Sequence, residues 1–183
     1  MNALIDSVIA FQNLMKQAGI PVMAIGGIAV AVWGEPRLTR DIDFKVLLHR
    51  EDRARLLELL RDLTPLQENP DDSFRRLGLA FFQDANGVRL DVMLADTIFD
   101  ETALERARQV EFAPGKTIWV CAPEDLIIYK MLSTRPKDRS DAESVIRRQG
   151  QALDEAYIEG WLRQFEQALS DSTLVSEFRK LRG

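Results

Sequence analysis

Asp41-Ile42-Asp43-Phe44-Lys45-Val46 alternates charged and apolar residues without a break, the period-two signature of a strand that buries one face only. What precedes it narrows the fold further. Val22 to Ile25 is a short apolar run that enters Gly26-Gly27, and Ile28 to Trp33 then reads as a short buried helix. Gly34-Glu35-Pro36 breaks that helix, and a polar loop leads to Asp41. A strand, a glycine turn, a short helix and a half-buried strand thus follow one another within a few turns of chain.

On the N-terminal side, Leu4, Ile5, Val8, Ile9, Phe11, Leu14 and Met15 recur at helical spacing, and Gly19 and Pro21 stop that helix. On the C-terminal side, a helix is predicted over Ala54 to Leu63, and Asn69 to Ser73 reads as turn. Leu79 to Gln83 and Val88 to Leu94 read as strands, with Asn86-Gly87 between them as a hairpin signal. A short helix over Glu101 to Arg108 and a strand over Thr117 to Val120 complete the mixed half. From Pro123 only helices are predicted, continuing over Ser140 to Arg148, Asp154 to Leu169 and Thr173 to Leu181. The expectation is an α/β (α+β) fold: a mixed β-sheet flanked by helices over residues 1–121, with a helical region over 122–183 packed on it.

Composition excludes several classes. With 183 residues, 46% hydrophobic and 29% charged, the chain is an ordinary globular protein. A net charge of -5 gives no general attraction to nucleic acid or an anionic membrane. Cys121 is the only cysteine, so neither an internal disulfide nor a cysteine-based zinc cage is available. The first 19 residues lack the basic start and unbroken apolar run of a signal peptide, and no stretch reaches a membrane span of about 20 apolar residues. The chain reads as cytoplasmic.

Asp41 and Asp43, two apart on a strand, leave the same face. Two carboxylates that close repel each other, and a hard divalent cation such as Mg²⁺ relieves the repulsion through oxygen ligands. Asp91 interrupts the apolar strand Val88 to Leu94, and if that strand pairs beside the first, a third carboxylate joins the site. Three acids can hold one or two metal ions beside a phosphate group. Gly26-Gly27, at a helix start, permits close backbone approach and offers amides to an anion. Taken singly, each signal has an ordinary reading: a solvated strand edge, a turn, a surface acid.

The order Ile25-Gly26-Gly27, short helix, Thr39-Arg40-Asp41-Ile42-Asp43-Phe44, then Arg89-Leu90-Asp91-Val92, resembles the defining motif of the nucleotidyltransferase fold superfamily. Pro123 to Lys130 and Arg135-Pro136-Lys137-Asp138-Arg139-Ser140-Asp141 look like the lysine helix and Lys-Asp-x-x-Asp segment of its AbiEii-like group, which includes abortive-infection toxins. The resemblance spans Val22 to Arg148. It implies a catalytic core over 1–121 in which Asp41, Asp43 and Asp91 bind Mg²⁺ and Asp91 can act as base. It further implies that Gly26 and Gly27 hold phosphates, that Lys130 contacts the triphosphate of an NTP, and that Asp138 and Asp141 line the site or orient Lys130 and Lys137. The implied reaction transfers NMP to an acceptor hydroxyl on RNA (tRNA), a protein or a small molecule. An antitoxin protein is the implied partner, and a catalytically silent NTP-binding module acting through a protein partner is the alternative.

Other residues stay open at this level. Arg37 and Arg40 either grip phosphate, pair with Asp41 and Asp43, or face solvent. Lys130 read on its own is a solvated helix lysine, and Asp138 or Ser140 is a good helix N-cap. His49 reads as a surface residue, and Trp33, Trp119 and Trp161 as core residues. Arg147-Arg148 and the cluster from Arg179 to Arg182 read as solvated helix ends.

Overall fold

The computed structural model of the protein describes residues 2–183, which divide into two compact units. Among the described residues, one unit comprises 2–28 with Leu38–Cys121, the other Ala29–Arg37 with Ala122–Gly183.

The first unit is built on one mixed sheet. Its strands are β1 (Val22–Ala24), β2 (Asp41–Val46), β3 (Thr64–Pro65), β4 (Leu79–Gln83), β5 (Arg89–Leu94), β6 (Arg108–Ala113) and β7 (Lys116–Val120). They lie in the order β3-β4-β5-β2-β1-β7-β6. The β2–β5 and β1–β7 pairs are parallel, and the other pairs are antiparallel. The alternation expected of β2 is realised: Ile42, Phe44 and Val46 are buried, whereas Asp41, Asp43 and Lys45 are half-buried on the other face. Helix α1 (Asn2–Gln17) contributes to the apolar face, where the rings of Phe11 and Phe44 stack with centroids 4.2 Å apart.

The hairpin between β4 and β5 forms around Asn86-Gly87, with Gly87 at φ +74. The Asp84 carboxylate accepts from the backbone N–H groups of Asn86 and Val88, each at 2.9 Å, which closes the turn from inside. That closure sets the register of the pair, with Phe81 opposite Asp91 and Gln83 opposite Arg89.

Helix α2 (Gly26–Trp33) starts at the first glycine of the pair itself, leaving no separate turn before it. Helices α3 (Arg53–Leu59), α4 (Pro70–Leu77) and α5 (Ile98–Glu105) complete the first unit. Strand β3 was not expected, α5 starts three residues before the expected Glu101, and two further segments differ from expectation. Residues read as turn at Asn69 to Ser73 are instead the start of α4: the Asn69 side chain accepts from Asp72 N–H at 2.9 Å, Pro70 takes the first helical position, and Gly78 ends the helix at φ +64. Removing that cap with Asn69→Ala is expected to lower stability by about 1 kcal/mol, read as a shifted urea midpoint at unchanged slope. The second difference is β6, which carries Arg108, Gln109 and Glu111 and so lacks a strand pattern. It is an edge strand, and its charged residues and the register shift between Glu111 and Ala113 both discourage pairing with another chain.

The second unit is helical. It contains α6 (Pro123–Leu132), α7 (Pro136–Gln149), α8 (Glu155–Leu169) and α9 (Leu174–Arg182). Leu126, Ile127, Met131, Val145, Ile158, Leu162 and Phe178 are buried. Helix α7 begins four residues before Ser140, because Pro136 stands at a position where its missing N–H is not needed. The segment Ala29–Arg37 belongs to this unit through specific bonds. Arg148 donates to Gly34 O at 2.5 Å, Gln149 to Trp33 O at 2.8 Å, and a Cβ added at Gly34 would lie 2.5 Å from the Ser144 hydroxyl. Among the described residues, no helix is long and apolar enough to cross a membrane.

Candidate functional site

Pairing of β2 with β5 decides where the acids stand. The parallel register sets Asp43 opposite Asp91 and Asp41 opposite Arg89. Neighbouring strands lie about 4.8 Å apart, so Asp41, Asp43 and Asp91 share one face of two adjacent strands. Buried Leu90, Val92 and Leu94 on β5 leave Arg89, Asp91 and Met93 on that same face.

The glycines meet the acids directly. Ile25 N–H donates to Asp43 O at 2.9 Å, which ties the end of β1 to the acid strand. Gly26 sits at φ +57, and a Cβ built there would lie 1.9 Å from Asp43 Oδ2. A Cβ on Gly27 would lie 2.5 Å from Thr39 Oγ1. Both glycines are thus required by close approach, and their amides at the start of α2 can receive an anion. Gly26→Ala should cost about 1–2 kcal/mol from backbone strain and, by displacing the Asp43 carboxylate, lose further stability in addition. Gly115→Ala is the control, since Gly115 has φ +69 with nothing within 4 Å of its added Cβ. A thermal melt on both variants separates strain from contact; equal destabilisation in the two would contradict the close approach of Gly26 to Asp43.

Two residues of this face carried no role in the sequence reading. Thr39 Oγ1 lies 3.0 Å from both Asp41 O and Asp41 Oδ1, which orients that carboxylate. Arg89 grips Asp91 with both arms of its fork, Nε to Oδ1 at 2.6 Å and Nη2 to Oδ2 at 3.1 Å. Its guanidinium carbon also lies 4.4 Å from the Phe81 ring centroid. The hydrogen bond to Asp91 holds the Arg89 pKa above the ordinary arginine value; burial opposes it, and the charges of Asp91, Asp41 and Asp43 add to it. A signal was available: in Arg89-Leu90-Asp91, opposite charges two apart on a strand share a face. Lys45, the remaining cation of the face, lies 2.8 Å from the buried Asp100.

The donor set suits a hard cation such as Mg²⁺, being three carboxylates on adjoining strands. As the side chains stand, no group of three His, Cys, Asp or Glu is arranged to hold a metal ion among the described residues. Asp91 is instead engaged by Arg89.

The second unit brings together Lys130, Asp138 and Asp141. Lys130 is buried, and its Nζ donates to Asp138 Oδ1 at 2.6 Å and to Asp141 Oδ2 at 2.8 Å. Asp138 also accepts from Ser133 Oγ and Arg135 Nε, each at 2.6 Å. Arg37 completes the cluster by a two-armed bond to Asp141, both contacts at 2.8 Å. Pairing with Asp141 is not among the alternatives read for Arg37, which name Asp41 and Asp43 as its acids. Lys137 and Arg40 are exposed. Trp119 is 43% exposed, although a core position was expected for it, and its backbone bonds Gln12 in both directions.

Sequence comparison matches residues 4–150 to a family described as nucleotidyltransferase of unknown function (DUF6036). No curated protein matches the chain in sequence. Solved structures share its fold, among them these three. An antigenic nucleotidyltransferase-like protein from Paracoccidioides brasiliensis is 18% identical with a TM-score of 0.54, covering 95% of this chain and 96% of that one. The antibiotic-resistance factor ANT(2'')-Ia is 14% identical with a TM-score of 0.58, covering 92% and 95%. The lincosamide antibiotic adenylyltransferase LnuA, bound to lincomycin, is 12% identical with a TM-score of 0.51, covering 74% and 92%.

Proposed function

The chain belongs to this nucleotidyltransferase family of unknown function, and from that premise we propose that it transfers NMP from an NTP to an acceptor hydroxyl with the help of Mg²⁺. The observation that carries the reading is the opposition of Asp43 and Asp91, with Asp41 on the same face and Gly26-Gly27 against Asp43.

In the proposed reaction the amides at the start of α2 receive the phosphates, and the closeness of Gly26 to Asp43 brings them beside the acids. Asp41, oriented by Thr39, and Asp43 would hold the cation, with Asp91 as third ligand. A bound divalent cation supplies charge neutralisation on the phosphates and polarises the phosphorus for attack. Asp91 would also accept the proton of the acceptor hydroxyl. The acceptor oxygen forms a bond to the α-phosphorus, the bond to the bridging oxygen breaks, and pyrophosphate leaves with that electron pair. The resemblance around Lys130 to Asp141 supports two finer assignments: triphosphate contact by Lys130, Lys137, Asp138 and Asp141, and an AbiEii-like toxin, cytoplasmic and paired with an antitoxin protein. Arg40, exposed just before Asp41, would add a phosphate contact.

One observation favours a second reading. With Asp91 held by Arg89, the chain could bind NTP without transferring it and act through a protein partner. Incubation with each α-labelled NTP, Mg²⁺ and a cell extract fractionated into RNA, protein and small molecules decides between the two. Transfer predicts label in one fraction with equimolar pyrophosphate. Tight NTP binding with no pyrophosphate in any fraction would select the silent module.

A further inference from the structure

The sheet face that carries the three acids has its own cation, Arg89, and nothing in the transfer chemistry above employs it. Three features define its state. The fork holds both oxygens of Asp91, a side chain that is only 13% exposed, while Arg89 itself remains 46% exposed. It stands at the first position of β5, opposite Asp41, so its stem can swing while the strand stays fixed. Its inner side rests on the ring of Phe81, which offers a surface to slide over and no ion pair to lock it. Lys45 on the same face differs in each respect, being 14% exposed and pinned to buried Asp100.

A guanidinium fork fits phosphate as well as it fits carboxylate. An ion pair with one half-exposed partner is weak enough for a competing anion to take it. A divalent cation approaching Asp91 in the present arrangement meets a neutralised carboxylate and a positive charge beside it. We propose that Arg89 is an exchangeable counter-ion: it occupies Asp91 in the free protein, passes to a phosphate of the incoming nucleoside triphosphate, and thereby opens Asp91 to the divalent cation. Arg89 is a positioning residue in this scheme, and nucleotide binding precedes completion of the cation site. The inference rests on the nucleotidyl-transfer reading for the identity of the anion.

The test uses the full chain and two probes: Mn²⁺ alone, followed by electron paramagnetic resonance, and inorganic tripolyphosphate without metal, followed by calorimetry. Arg89→Gln should bind Mn²⁺ about tenfold more tightly than the unaltered chain and tripolyphosphate about tenfold more weakly. Arg89→Lys keeps the charge and should leave Mn²⁺ binding weak. These opposite changes are not expected of a residue that only stabilises the fold, and Arg89→Ala with a circular dichroism melt checks that folding is retained. Mn²⁺ binding that requires Asp43, shown by Asp43→Asn, yet is unchanged by Arg89→Gln overturns the exchange and leaves the transfer reading standing. Mn²⁺ binding indifferent to Asp43→Asn rejects the transfer reading itself.

Discussion

Asp43→Asn is expected to reduce nucleotidyl transfer by about 10³-fold or more while leaving the protein folded. The substitution keeps the shape that meets Gly26, where an added Cβ would lie 1.9 Å from the carboxylate, so the close approach of the two segments survives. What it removes is charge. Asp43 stands opposite Asp91 and two residues from Asp41, and in the proposed reaction the loss of one carboxylate would leave a divalent cation with too few hard ligands there. Relief of repulsion among three acids predicts a melting temperature equal to or above that of the unaltered protein. Asp41→Asn and Asp91→Asn should give losses of similar size, and the double variant Asp41→Asn/Asp43→Asn little more than either, since ligands of one site act as a unit. Pyrophosphate release under saturating Mg²⁺ measures the effect. An Asp43→Asn rate within tenfold of normal would remove the three acids from the chemistry.

Much of this face was legible beforehand, and what escaped has physical reasons. Alternation along residues 41–46 reveals the strand and the side its acids occupy, because a period of two is a local property. The partnership of β2 with β5 is not local. It joins residues 48 apart in sequence, as Asp43 and Asp91 are, and only the motif resemblance suggested it. The spacing of Arg89 and Asp91 puts both on one face, but the packing of Arg89 on Phe81 of the neighbouring strand is not local. Helix α4 was missed for a different reason: Asn69-Pro70 is both a turn signal and a helix start, and only the bond from Asp72 N–H to Asn69 distinguishes them. Strand β6 had no apolar alternation to find. Nor could any local pattern assign Ala29–Arg37 to the helical unit, since Gly34 and Ser144 meet only in the folded chain. Lys130 is the sharpest case. Its helix is readable, yet a buried lysine and a solvated one look alike in sequence, and the acids that bury it lie one helix later.

Lys130→Met is therefore expected to destabilise the protein by about 3–5 kcal/mol, the cost of breaking a buried ion pair from one side. Methionine approximates the lysine stem but leaves Asp138, fully buried, and Asp141, 6% exposed, without their shared ammonium. Arg135 and Ser133 still reach Asp138, and Arg37 still reaches Asp141, which places the expected value at the lower end of that range. The pH dependence follows the same charges. Burial alone would push the Asp138 carboxyl up; the bonds from Lys130, Ser133 and Arg135 outweigh it and bring it down to about 2. A carboxyl lowered on folding contributes stability that is complete above its ordinary value of 3.8 and is lost as pH falls from there through about 2. In Lys130→Met burial acts against weaker opposition, so the Asp138 pKa rises, the share of stability that acid removes through this carboxyl shrinks, and the gap between variant and unaltered protein narrows as pH falls from 3.8 through about 2. Urea denaturation at pH 7, and again as pH is lowered from 3.8 toward about 2, measures both effects. The same variant also separates the two roles open to this lysine. A loss below about 1 kcal/mol at pH 7 combined with weakened NTP binding would make Lys130 a phosphate contact, because a solvated cation costs little to remove. A large loss that Asp138→Asn partly offsets in the double variant would make it the internal counter-ion of α7, with any effect on NTP binding following from the fold.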